Sequence, residues 1–256
     1  MDSFFEKIRV RYIILIYIIS IIAMVFFVQI PTIKNIVSKD STFGDIIIST
    51  FVIVGLLIVS FKNQKVSSNK FMSCIKSIEW KKIVKLYILS ITLFIGVILL
   101  ISPIISINTW DYSNKNIFSS VFYFIVLAPI IEEFIFRGII LNRFKKKYNQ
   151  KSVIIISSIL FALLHFDPNV FSRFLLGLLA SLLYIETKNI INCMIFHSLN
   201  NLTVLAFFLG ISKCNLFNKI TSKNNKIFIV TGVIFIIISI IANASYMRGK
   251  WKNMNK

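Results

Sequence analysis

Long apolar stretches separated by short lysine-rich breaks run through the whole chain. Eight can be delimited: about Tyr12 to Ile30, Ile46 to Phe61, Val84 to Ile101, Ile117 to Leu141, Ser152 to Phe166, Val170 to Ile185, Ile190 to Leu209 and Ile227 to Ala244. An α-helix needs ~20 mostly apolar residues to cross a bilayer core of ~30 Å. The pattern therefore predicts an all-α fold, a polytopic membrane helix bundle of about eight transmembrane helices, as a single transmembrane domain over residues 1–256. The first stretch is too long for a signal-peptide core and no small-residue cleavage site follows it, so it reads as a retained anchor. Pro103 stops the third stretch. The fifth and sixth are short, which suggests a tilted or partly re-entrant hairpin surrounded by protein or water rather than lipid. The break Lys62–Lys82 is the longest and has room for a surface helix.

Composition agrees with this class: 57% of the residues are hydrophobic and 25 are phenylalanine, which sets the chain apart from soluble domains. The net charge of +19 would point to nucleic acid in a soluble protein. Here the basic residues sit between apolar runs, where membrane orientation and anionic lipid account for them, so no nucleic-acid partner is expected. Lys and Arg crowd the N-terminal tail (Lys7, Arg9, Arg11), the second break, the fourth break (Arg143, Lys145, Lys146, Lys147, Lys151) and the C-terminal tail (Arg248, Lys250, Lys252, Lys256). Excess basic residues mark the cytoplasmic side, so both termini are expected there, in a multi-pass protein of the cell membrane. The seventh break, with Lys213, Lys219, Lys223 and Lys226, runs against the pattern. Cys74, Cys193 and Cys214 show no CxxC spacing, so neither a disulfide framework nor a thiolate zinc site is indicated.

Against this apolar background a few polar residues stand out. Glu132, Glu133 and Arg137 lie inside the fourth stretch, although an ionised group at the bilayer centre costs at least ~2.5–3.5 kcal/mol. Glu133 and Arg137 are four apart and share a helical face, where they can pair. Glu132 points ~100° away and is free to face something else. The only two histidines, His165 and His197, also fall in apolar stretches, and His197 shares a helical face with Asn201. At ~1.5 Å rise per residue from the nearest lysine-rich break, Glu132, His197 and His165 lie roughly 15, 14 and 21 Å deep. They can meet in one layer. Taken singly, an intramembrane His reads as a helix–helix hydrogen-bonding residue and a Glu–Arg pair as a structural clamp. Together, carboxylates and imidazoles at one depth are the raw material of general-base or metal chemistry.

Glu-Glu-x-x-x-Arg, Phe-x-x-x-His and His-x-x-x-Asn, in this order on successive apolar stretches, resemble the signature of the CPBP family, the CAAX-protease and bacteriocin-processing (Abi) intramembrane endopeptidases. The likeness covers residues 117–208, a family-like catalytic core built from the fourth, fifth and seventh helices, and the flanking stretches match only in hydropathy. The resemblance implies that Glu132 and His165 activate water for attack on a peptide carbonyl, that His197 and Asn201 stabilise the oxyanion, and that Glu133 and Arg137 support the site. It implies a peptide or membrane-protein substrate, such as a prenylated CAAX-like terminus, a leader peptide or a bacteriocin precursor. Glu132, His165 and His197 could also form a two-His, one-carboxylate zinc set, as in a metalloprotease. No HExxH is present, so metal-dependent and metal-free glutamate mechanisms both stay open. An ion- or proton-coupled transporter would use the same groups as a relay, but no inverted repeat is visible. A non-catalytic immunity or scaffold protein would not need the intact polar set.

Overall fold

The computed structural model describes residues 8–63, 73–103, 116–165, 170–212 and 225–253. Among them it is helical, with no strand. The helices are α1 (Val10–Phe27), α2 (Pro31–Lys39), α3 (Ser41–Asn63), α4 (Trp80–Ile101), α5 (117–144), α6 (Gln150–Leu163), α7 (Val170–Thr187), α8 (Ile190–Ser212) and α9 (Asn225–Asn253). Each apolar stretch of the sequence falls on one helix. Six of them, α1, α3, α4, α7, α8 and α9, are long and apolar enough to cross a membrane. The chain is a multi-pass helical membrane protein.

Two features were not visible in the apolar pattern. The first stretch ends at Phe27 rather than Ile30, and Pro31 opens α2 at its first helical position, where the missing N–H costs nothing. The described part of the Lys62–Lys82 break holds the end of α3, a helical turn over 73–76 and the start of α4. The expected surface helix there and the seventh break otherwise fall largely on 64–72 and 213–224, outside the described residues.

Asp40 ties the α2–α3 corner to α5. Its carboxylate accepts from the Thr42 backbone N–H at 3.0 Å and from the Ser119 hydroxyl. Partial burial pushes the carboxyl upward, but the bonds from Ser119 and Thr42 outweigh it and hold the group below the usual carboxylate range. This tether is therefore present above the ordinary Asp pKa and fades as pH falls through the depressed value.

The core centres on α7, in which every residue from Leu175 to Ile185 is buried. It packs on α6, α8 and α4. This explains how a short hairpin is tolerated. At 14 residues, α6 spans only ~21 Å, and its partner α7 is enclosed by protein rather than lipid. The turn between α7 and α8 is tight, with Lys188 in the left-handed region at φ 52°. Asn189 then donates to the Cys74 carbonyl at 2.7 Å and the Ser77 carbonyl at 3.3 Å, locking the turn to the segment before α4.

The closest helix pair is α4 with α9, and glycine makes it possible. A Cβ at Gly232 would lie 2.6 Å from the Leu100 backbone nitrogen, and one at Gly96 would lie 2.9 Å from that of Ile236. Backbone cannot yield as a side chain does. Valine at either position is expected to cost at least the ~1–3 kcal/mol of ordinary overpacking, read as a lower unfolding midpoint in detergent. Alanine at Gly249, where a Cβ meets nothing, should leave the midpoint unchanged.

Helix α5 is not a regular helix. Ile117–Val121, Ala128–Glu133 and Leu141–Phe144 are α-helical, and Phe122–Leu127 and Phe134–Ile140 are π-helical. Pro129 explains the first widening: its ring would clash with the carbonyl four residues back and it donates no hydrogen bond. The second is held open by Asn142, whose Nδ2 donates to the carbonyls of Arg137 at 3.2 Å and Gly138 at 2.8 Å. Asn142, which hydropathy places at the edge of the membrane, is fully buried. Short π-turns often occur at functional sites, and the residues between and within these two are Glu132, Glu133 and Arg137.

Candidate active site

Glu133 is the hub of the polar cluster. It is fully buried, as is Arg137. Arg137 Nη1 donates to Glu133 Oε1 at 3.0 Å and Nη2 donates to the Gly177 carbonyl on α7 at 3.0 Å. Its guanidinium also lies 4.6 Å from the ring centroid of Phe161 on α6. The i, i+4 pairing anticipated from the sequence is therefore present, and it spans three helices. The same Glu133 oxygen also sits 2.9 Å from His197 Nδ1, a link that hydropathy and spacing give no sign of. Glu132, one residue earlier, turns away from Arg137 and faces the histidines.

Both imidazoles are held by their Nδ1 atoms. His165 Nδ1 lies 2.6 Å from the Phe161 carbonyl, which can only accept, so Nδ1 carries the proton. His197 Nδ1 likewise donates to the Glu133 carboxylate. In the neutral ring the other nitrogen is then an acceptor. Those Nε2 atoms point at one oxygen: Glu132 Oε2 is 3.3 Å from His165 Nε2 and 3.8 Å from His197 Nε2. Neither Glu132 Oε2 nor His197 Nε2 has a hydrogen-bond partner among the described residues, although both atoms are buried. Three acceptors facing one another repel unless a proton, a water or a cation lies between them. Phe161 fixes the spacing, with its ring centroid 4.6 Å from that of His165 and 5.7 Å from that of His197.

The donor set suits zinc chemically, but its spacing does not. Tetrahedral zinc with bonds of ~2.0–2.1 Å needs donors roughly 3.3 Å apart. The Glu132–His165 edge fits and the Glu132–His197 edge at 3.8 Å is too wide. Among the described residues no group of three His, Cys, Asp or Glu is disposed to hold a metal ion.

The cluster opens into a cavity of about 290 Å³. Glu132, His165, Asn200 and Asn201 line it, and much of its wall is apolar, including Leu93, Phe94 and Phe208. Asn201 Nδ2 donates to the Phe124 carbonyl at 2.8 Å, on the first widened turn of α5. Asn200 is fixed separately, accepting from Ser90 Oγ at 2.6 Å. Sequence reasoning gave no role to Ser90, a hydroxyl in an otherwise apolar stretch, or to Arg173. Arg173 lines the cavity.

Searches of curated proteins and of solved structures find no match to this chain. A family model does match: residues 114–203 fit the Rce1-like family, type II CAAX prenyl endopeptidases. That span contains Glu132, Glu133, Arg137, His165, His197 and Asn201. The region 114–203, rather than the whole chain, is therefore what resembles the CAAX-protease (CPBP) family of membrane endopeptidases.

Proposed function

We propose that the protein is an intramembrane endopeptidase that hydrolyses a peptide bond with a water held between Glu132 and His165. The observation that carries this reading is the convergence of Glu132 Oε2 with the two Nε2 atoms, each imidazole being pinned through Nδ1. A water there donates one hydrogen to Glu132 and the other to His165 Nε2, leaving its lone pairs toward the cavity. Glu132 takes the proton as the water oxygen attacks the peptide carbonyl, and passes it to the leaving amine. General acid–base groups of this kind contribute ~10²–10⁴-fold. The oxyanion is received by Asn201 and by His197. The His197 role needs the imidazolium, because Nδ1 already donates to Glu133 and a neutral ring has no second proton. Glu133 holds that ring through Nδ1, and Arg137 holds Glu133 in place.

The substrate of this reading is a peptide or membrane-protein segment whose apolar part enters the cavity, of the CAAX-like, leader-peptide or bacteriocin-precursor kind. The whole chain acts as one transmembrane domain around a core over 117–208. Incubation of the purified protein with a peptide library in nanodiscs, read by mass spectrometry, should yield cleavage products that are absent with Glu132→Ala. Cleavage at the wild-type rate by that variant would end the proposal.

A zinc-dependent variant of the reading draws on the partnerless Nε2 of His197. Glu132, His165 and His197 would hold the ion, which would polarise the scissile carbonyl. The metal-free reading predicts less than stoichiometric zinc in purified protein and no loss of cleavage with a chelator. About one equivalent of zinc, lost in each single alanine variant, would replace it.

Both termini are placed in the cytoplasm of a cell-membrane protein by the basic tails. A reporter fused after Lys256 should be active only in the cytoplasm. Activity outside would leave an odd number of spans.

A further inference from the structure

A second cavity, of about 100 Å³, lies behind the site, between α1, α3 and α5. Its polar lining is Tyr17, Asp45, Ser49, Tyr123 and Glu132. Tyr123, Ala128 and Glu132 line the first cavity as well, so the two spaces are separated only by this part of α5. The partition is thin where Ala128 stands, the smallest of the three side chains.

The polar groups form a ladder in depth. Measured from the end of the bundle that carries α2, and at ~1.5 Å rise per residue, Asp45 lies about 6 Å in, Tyr123 about 9 Å, Tyr17 about 15 Å and Glu132 about 22 Å. Asp45 is exposed, Tyr17, Tyr123 and Glu132 are half-buried, and Ser49 is buried. An ionised carboxylate inside a span needs a polar partner or water beside it, and Asp45 is exposed at the rim of this cavity. A water needs only about 10–15 Å³ of such space and two to four polar partners, so the cavity has room for several. Hydrolysis uses one water per turnover. A substrate filling the mostly apolar first cavity would block entry of water by that side.

We propose that the second cavity is an aqueous inlet, open at Asp45, that delivers water past Tyr123 and Ala128 to Glu132 from the face opposite the substrate. The delivery role rests on the endopeptidase reading; the presence of water in the cavity does not. Tyr17 and Tyr123 position that water through their hydroxyls, and Asp45 keeps the mouth wet.

Hydroxyl-radical footprinting by X-ray pulses on the protein in nanodiscs tests the cavity without any substrate. Tyr17 should be oxidised at a rate comparable with surface Tyr148, while fully buried Tyr184 stays silent. Ser49→Leu, which fills the cavity, should silence Tyr17. Ser49→Val makes a smaller filling change at the same place if leucine prevents folding. A wild-type Tyr17 as silent as Tyr184 overturns the inlet, whether or not the chain proves to be a protease. On a peptide that the wild type cleaves, the filled variant should lose about tenfold in kcat with KM unchanged, as expected when only the chemical step is affected. Loss of Tyr17 labelling with kcat retained would overturn the delivery role.

Discussion

Glu132→Ala and His165→Ala are each expected to reduce cleavage by at least ~10³-fold, near the upper part of the range for a positioned acid–base group. Both variants should remain folded and inserted. Neither side chain neutralises the buried Glu133–Arg137 pair: Glu132 is a quarter exposed and the two imidazoles are the groups beside its carboxylate. The double variant should be hardly slower than either single one, because groups that act on one water lose their effect together. His197→Ala should also abolish cleavage, but for a different reason, since it removes the oxyanion donor and also leaves Glu133 with one partner fewer. Asn201→Ala should be milder, about 10²–10³-fold, as for loss of one oxyanion donor. Rates are read on any library peptide that the wild type cleaves. Additive losses in the Glu132/His165 double variant would show that the two do not share a water.

The sequence carried the helices and the chemistry unequally. Apolar length pointed to the long helices among the described residues, because in lipid a single segment satisfies its own polar groups only as a helix. The site residues were legible for the same reason: a Glu, an Arg or a His at membrane depth is too costly to be incidental. What could not be read was how they connect. Spacing gave Arg137 to Glu133, but the bond from His197 to the same carboxylate joins α8 to α5 and depends on how those helices pack. The π-turns arise from Pro129 and from the buried amide of Asn142, and a residue that looks like a loop marker reveals its role only in three dimensions. Gly177 contributes a carbonyl, and a backbone acceptor has no signature in sequence.

Glu133→Gln is expected to be the most destabilising single change in the cluster. Removing one partner of a buried ion pair typically costs ~3–5 kcal/mol, because the other charge is left uncompensated. Here the uncompensated charge would be that of Arg137, fully buried, with the Gly177 carbonyl and the rings of Phe161 and Phe136 beside it. The glutamine amide leaves one neutral oxygen to accept from both His197 Nδ1 and Arg137 Nη1, where a full negative charge stood before. Arg137→Lys should cost less, about 1–3 kcal/mol, because the charge stays beside Glu133 and the second bond of the fork, to Gly177, is what goes. Thermal unfolding in detergent orders the two, and a Glu133→Gln protein no less stable than Arg137→Lys would show that the pair is not a clamp. A double replacement, Glu133→Leu with Arg137→Met, separates support from chemistry. Apolar residues of similar volume often match or exceed the stability of a buried ion pair, so this variant should recover most of the loss caused by Glu133→Gln. It should nevertheless stay inactive, because no carboxylate remains to accept the Nδ1 proton of His197 and hold its ring toward Glu132.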